Sequence, residues 1–129
     1  MNPISDRIQV GTLGELLVQI RLLQFGVQAA PPIKDSGNDL IAVNGQEFRA
    51  VSVRTTSTGR YCKPEQAREY HVLAVVHLIG EERDVYLDQS PIFLIPRNQV
   101  FRVPTTCTEL GKFAWSRERV EAIFGTLRM

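Results

Sequence analysis

The sequence predicts an α+β (α/β) domain in which a β-sheet is flanked by an N-terminal and a C-terminal helix. Three observations lead there. Apolar residues recur at helical spacing over residues 12–25. A hairpin signature, Asn44-Gly45, separates two β-rich runs. The continuous apolar run Val72-Leu73-Ala74-Val75-Val76 is too short for a convincing helix and reads as a buried strand.

The chain has 129 residues, 43% apolar and 22% charged, the composition of an ordinary soluble globular protein. That length fits one domain spanning residues 1–129. No apolar run approaches the ~20 residues needed to span a bilayer, so no membrane partner is expected. The first residues, Met1 to Arg7, lack a charged segment followed by an apolar one, which gives a cytoplasmic location as the expectation. Cys62 and Cys107 stand far apart without Cys-x-x-Cys or histidine in metal spacing, which suits reduced thiols. No signature of a small-molecule cofactor is visible.

In the first helix, Leu13, Leu16, Leu17, Ile20 and Leu23 form the apolar stripe, and Gly26 is placed to end it. Thr12 and Glu15 have capping-box spacing, so Glu15 has a structural explanation in which its carboxylate reaches back to the helix N-terminus. Residues 27–30 read as a short strand. Pro31-Pro32 and the polar loop 34–38 then lead into the hairpin. For Asn44-Gly45 a type I′ turn is expected, since both central residues there need φ > 0. In the second strand, alternation sends Val51 and Val53 to one face and Phe48, Ala50, Ser52 and Arg54 to the other.

After the hairpin, residues 57–60 form a polar turn and residues 64–69 a short helix with Pro64 in its first turn. Strands follow at 71–78, 84–87 and 92–95, with residues 80–83 as a turn, and the series reads as an antiparallel meander. His71 and His77 share a strand face but lie about 20 Å apart at strand rise, too far to ligate one metal, and each reads as a strand-end residue with a hydrogen-bond partner. Residues 101–103 read as an edge strand and 105–111 as a loop. Ser116 caps a last helix whose Val120, Ile123, Phe124 and Leu127 point inward, with Trp115 stapled against its first turns as a packing residue.

A helix bearing an acid, Glu15, then a strand opening on Asp39, a tight turn, and a strand carrying Ser52-x-Arg54 is an order of elements that resembles the core of the PD-(D/E)XK nuclease superfamily, especially its archaeal Holliday-junction-resolvase-like and small endonuclease-like members. The run Ile95-Pro96-Arg97-Asn98-Gln99-Val100 is similar to the Ile-Pro strand end and polar helical turn of the small endonuclease-like relatives. The resemblance covers roughly residues 10–100. It implies a restriction-endonuclease-like mixed β-sheet between the two helices, and a catalytic set at Asp39, Glu15, Ser52 and Arg54. Ser52 and Arg54 stand where the superfamily carries Glu-x-Lys, so the implied active site is degenerate.

In an active member, Asp39 and Glu15 would hold Mg²⁺, which polarises the phosphoryl group and lowers the pKa of a bound water. Ser52 offers only a neutral hydroxyl. Arg54 cannot deprotonate at working pH, though its fork binds phosphate or a carboxylate, and Asp39 is its expected partner. A relocated carboxylate could come from Glu65 or Glu69, with Gln66 between them, or from Asp35; Glu47 falls on the opposite strand face from Ser52.

The partners implied are DNA or RNA, and a homodimer as in many relatives. The net charge of +1 lends nucleic acid no support, whereas Arg60, Lys63 and Arg68, with Tyr61 among them, make a local basic candidate surface in which Glu65 and Glu69 are interspersed. Three functions follow: a nuclease-fold protein that binds nucleic acid or a protein partner with a degraded site, an active Mg²⁺-dependent nuclease with a relocated carboxylate, or an interaction protein of merely similar architecture.

Overall fold

The computed structural model describes residues 6–33, 39–81 and 84–127. Helix α1 (Asp6–Gln24) is followed by β1 (Gln28–Ala30), β2 (Leu40–Asn44), β3 (Glu47–Thr56), β4 (Val72–His77), the small hairpin β5 (Gly80–Glu81) and β6 (Asp84–Val85), then β7 (Ile92–Pro96) and helix α2 (Arg117–Phe124). Five strands form one mixed sheet in the order β1-β2-β3-β4-β7. The α+β architecture with helices near both ends of the chain is therefore as expected.

Both helices cover the same sheet face. Leu17, Val18 and Leu22 of α1 and Val120, Phe124 and the following Leu127 pack with Leu40, Val51, Val72, Ala74 and Leu94 in one apolar cluster. Each such side chain taken out of water contributes about 1.5–3 kcal/mol. The other face carries a second cluster, Leu73, Val75, Phe93 and Ile95, covered by Tyr61, Tyr70, Val100, Leu110 and Phe113 from irregular segments and short 3₁₀ turns. The alternation in β3 is as the sequence indicates: Val51 and Val53 face the helices, while Ser52 lies on the opposite face.

Several expectations are corrected. Helix α1 starts at Asp6, so Thr12 is an exposed interior residue and no capping box joins it to Glu15. Val10 and Leu13 continue the apolar stripe toward the N-terminus and pack on the core, which carries the helix through Gly11 and Gly14. At the hairpin, Asn44 pairs with Glu47, so Gly45 and Gln46 form the loop. Gly45 alone has positive φ, +63°, the type II′ arrangement with glycine in the first central position. Asn44 stays on the strand because its side-chain amide donates to the carbonyls of Phe124 (2.9 Å) and Thr126 (3.1 Å) at the end of α2.

The strands are not an antiparallel meander, because β3 pairs parallel with β4, from Val51 opposite Val72 to Thr56 opposite His77. Residues 57–71 are long enough for the crossover that parallel pairing needs. The expected helix at 64–69 is absent. Arg97 accounts for this locally, since its guanidinium donates to the carbonyls of Gln66 (3.0 Å) and Arg68, which are thereby diverted from helical amides. The strand expected at 84–87 stops at Val85 and gives way to a 3₁₀ turn, Leu87–Gln89. Residues 101–103 are not a strand, because the 3₁₀ turn after β7 extends over Arg97–Arg102. Trp115 stacks on Phe25 at 6.1 Å beneath the Arg21 guanidinium, so it ties the end of α1 to the start of α2. Loop residues 34–38 and the turn at 82–83 lie outside the described residues.

Candidate functional site

The candidate site lies where β2 stops and β3 continues. Leu40, the first residue of β2, pairs with Val51, while β3 runs on to Thr56 against β4 alone. The next β3 amide on that side belongs to Val53. Asp39 takes it: its own amide donates to the Val51 carbonyl at 3.1 Å, and its carboxylate oxygen Oδ2 accepts from Val53 N–H at 2.7 Å. The fully buried Ser52 hydroxyl donates to the same oxygen at 3.4 Å.

Glu15 reaches this region because α1 lies very close to β3. Gly14 is the contact point: a Cβ there would sit 1.8 Å from the Thr55 hydroxyl oxygen, so only glycine allows the approach. The half-buried Glu15 carboxyl is pushed above its ordinary range, first by burial and then by the negative charge of Asp39. The charge of Asp39 thus acts on Glu15, second to burial. The glycine inside an otherwise regular helix was the sequence signal for this approach, and its meaning required knowing which residue stood opposite.

Arg54 is placed differently from the expectation. Among the described residues no ion pair joins it to Asp39, and its buried Nε has no hydrogen-bond partner. Its charge acts instead on Tyr70, a buried residue whose hydroxyl also lacks a partner. Burial pushes the Tyr70 phenol up, and the positive charges of Arg97 and Arg54 act in the opposite direction. Arg97 lies 4.6 Å from the centre of that ring. Tyr70 and Arg97 thus join the neighbourhood of Arg54, and spacing in the sequence did not reveal this.

The basic residues of the following segment divide. Arg60 is exposed and pairs with Thr106 in an isolated bridge. The Lys63 ammonium donates to the Val103 carbonyl at 2.5 Å, and Arg68 is half-buried. Tyr61 is a core residue whose hydroxyl donates to the Pro104 carbonyl at 2.7 Å. Burial, with a smaller contribution from Cys107, pushes its phenol up to about 12, so it stays neutral at ordinary pH. Its ring is too enclosed for a base to stack upon. His71, at the start of β4, accepts the Ala50 amide at Nδ1, 2.8 Å away.

The metal expected in an active relative meets an incomplete donor set. Among the described residues, no three of His, Cys, Asp and Glu come together in a way that could hold a metal ion. Glu47 is paired with Arg49 at the turn end of the hairpin, and Glu65 and Glu69 are exposed on the irregular segment. Asp35 lies outside the described residues. Glu15 and Asp39 are the two carboxylates left at this place, and Mg²⁺ held there would take its remaining oxygens from water and phosphate. Among the described residues, no helix is long and apolar enough to cross a membrane. Cys62 and Cys107 are unpaired thiols.

No protein-family model and no curated protein matches the chain. Among solved structures it is similar to a bacterial homing endonuclease, I-Ssp6803I, with a TM-score of 0.56 and 17% sequence identity, covering 78% of this chain and 72% of that one. The likeness is one of fold.

Proposed function

We propose that this nuclease-fold chain is a member of the PD-(D/E)XK group that binds nucleic acid at the Asp39–Arg54 end of the sheet and cleaves it poorly or not at all. The observation that carries the reading is Arg54. It is a half-buried guanidinium with no carboxylate paired to it among the described residues, two positions along β3 from the Ser52 that donates to Asp39. A guanidinium in that state suits a phosphate, which it can bind through two parallel hydrogen bonds. Arg60 and Arg68 would add the less specific attraction that nucleic-acid backbones draw from surface cations.

Ser52 supports the same conclusion from the other side. Its hydroxyl donates to Asp39 where an active relative would place a carboxylate, which removes one negative charge from the place a divalent cation would occupy. The test is incubation of labelled duplex and branched DNA and of RNA with the protein in Mg²⁺ and in Mn²⁺, alongside an electrophoretic shift. Salt-sensitive shifts without cleavage agree with the proposal. Cleavage that disappears in Asp39→Ala would refute its catalytic half, and an absence of shifts would favour an interaction protein that shares only the architecture.

A second reading, an active Mg²⁺-dependent nuclease, has one observation in its favour. Burial and, second, the charge of Asp39 raise the Glu15 carboxyl, so the two acids lie within electrostatic reach of each other, which supports a shared cation. A titration calorimetry experiment with Mg²⁺ or Mn²⁺ that gives no heat at millimolar concentration would dispose of it.

A further inference from the structure

One exposed ring stands among cations that have no carboxylate partner. Among the described residues two aromatic side chains are exposed, Phe48 (60%) and Phe101 (44%). Beside Phe48 the charge of Arg49 is paired with Glu47. Phe101 differs: Arg102 follows it, and its 3₁₀ turn, Arg97–Arg102, leads into a segment that lies along residues 60–68. Lys63 donates to the Val103 carbonyl, Arg60 bridges to Thr106, and Arg97 donates to the carbonyls of Gln66 and Arg68. Among the described residues none of Arg60, Lys63, Arg68, Arg97 and Arg102 joins an ion pair. The acids bordering this surface, Glu65, Glu69 and Glu109, are fewer than the cations, and the chain carries no acid between Asp88 and Glu109.

The ring is presented on a fixed support. Val100 is fully buried in the second apolar cluster, which anchors the turn directly before Phe101. The Arg97 amide donates to the His71 carbonyl at 3.0 Å, and past the turn the Tyr61 hydroxyl holds the Pro104 carbonyl. A ring ordered in advance loses little freedom on binding. The turn also adjoins the candidate site, since Arg97 lies 4.6 Å from the ring centre of Tyr70, which the charge of Arg54 also reaches.

We infer that Phe101 is a stacking platform for an unpaired base and that this surface takes single-stranded DNA or RNA, with phosphates on Arg60, Lys63, Arg68 and Arg102. The inference rests on the reading that the chain binds nucleic acid, and it names the form that is bound here. Bases in a duplex are already stacked on one another, whereas a single strand offers its base faces to a ring and its phosphates to the cations beside it.

The test is fluorescence anisotropy with labelled oligothymidylate, oligouridylate and a hairpin duplex, the first two arms telling DNA from RNA. Phe101→Ala and Phe101→Leu are expected to weaken single-strand binding by about tenfold, with an unchanged salt slope because stacking neutralises no phosphate. Phe101→Trp keeps the affinity, duplex binding is the same in all three variants, and Phe48→Ala changes nothing. Single-strand binding that survives Phe101→Ala or Phe101→Leu, or a loss shared equally by the duplex, would overturn the inference, while duplex binding weakened by Arg54→Ala would leave the broader reading standing. A wild-type protein that binds none of the three probes would overturn both.

Discussion

Gly14 and Glu15 stand side by side on α1 and illustrate how one close approach sets both stability and electrostatics. Alanine is the better helix former by about 1 kcal/mol, yet Gly14→Ala is expected to destabilise the protein by about 1–3 kcal/mol, since its methyl group has to displace Thr55. Urea denaturation measures the change, and adding Thr55→Ala should recover part of it because the two residues touch. Glu15 carries the electrostatic consequence. Its carboxyl is raised above the ordinary value of 4.5 by burial and by Asp39, so the folded protein holds a proton more tightly than the unfolded chain. Ionisation therefore carries no penalty below pH 4.5 and its full penalty once pH has risen past the folded-state value. Glu15→Gln should raise the melting temperature at pH 7 and change it progressively less as pH falls toward 4. An equal gain at both values would show that Asp39 and burial do not act on this group.

The hairpin and α2 behave as one unit because the strand end holds the helix end. Asn44 donates to the carbonyls of Phe124 and Thr126, and Arg49 Nε donates to the Ile123 carbonyl at 2.9 Å. The Ile123 and Phe124 carbonyls belong to the last turn of α2 and lack partners within the helix, and Thr126 lies just past its Gly125 cap. Asn44→Ala should cost about 1–3 kcal/mol by leaving them unsatisfied. Asn44→Asp should cost more at neutral pH, since an ionised carboxylate cannot donate and faces the negative end of the helix dipole. Chemical denaturation of the two variants checks the order. The elements themselves were largely legible in the sequence where their causes are local: Ser116 does cap α2, accepting the Arg119 amide at 3.1 Å, and the apolar run at 72–76 is a strand. The parallel pairing of β3 with β4 and the irregular course of residues 61–70 were not legible. They depend on Arg97, Val103 and Pro104, which are distant in sequence and reach that segment only in the folded chain.

At the scale of the molecule, two different surfaces stand out. One is the run of exposed apolar residues Leu16, Ile20 and Leu23 on α1, and the other is the end of β3 where Asp39 accepts from Ser52 and the Val53 amide, with Glu15 within electrostatic reach and Arg54 further along the strand beside Tyr70. Glu15 and Asp39 were singled out by order and spacing, and in the fold the charge of Asp39 acts on Glu15 after burial. The fate of Arg54 was not readable there, because spacing cannot decide whether a cation pairs with Asp39 when a backbone amide competes for the same oxygen. If the region binds phosphate, removing an acid should strengthen binding: Asp39→Asn is expected to lower the dissociation constant for duplex DNA by several-fold, provided the variant keeps its native circular dichroism spectrum. The most direct test of the account is the salt dependence of DNA binding, measured by fluorescence anisotropy for the wild-type protein and Arg54→Ala. The account predicts that the variant binds more weakly and that the slope of log affinity against log salt becomes shallower by about one, the signature of one lost phosphate contact. An unchanged affinity and slope in Arg54→Ala, or no binding by the wild-type protein at low salt, would contradict it.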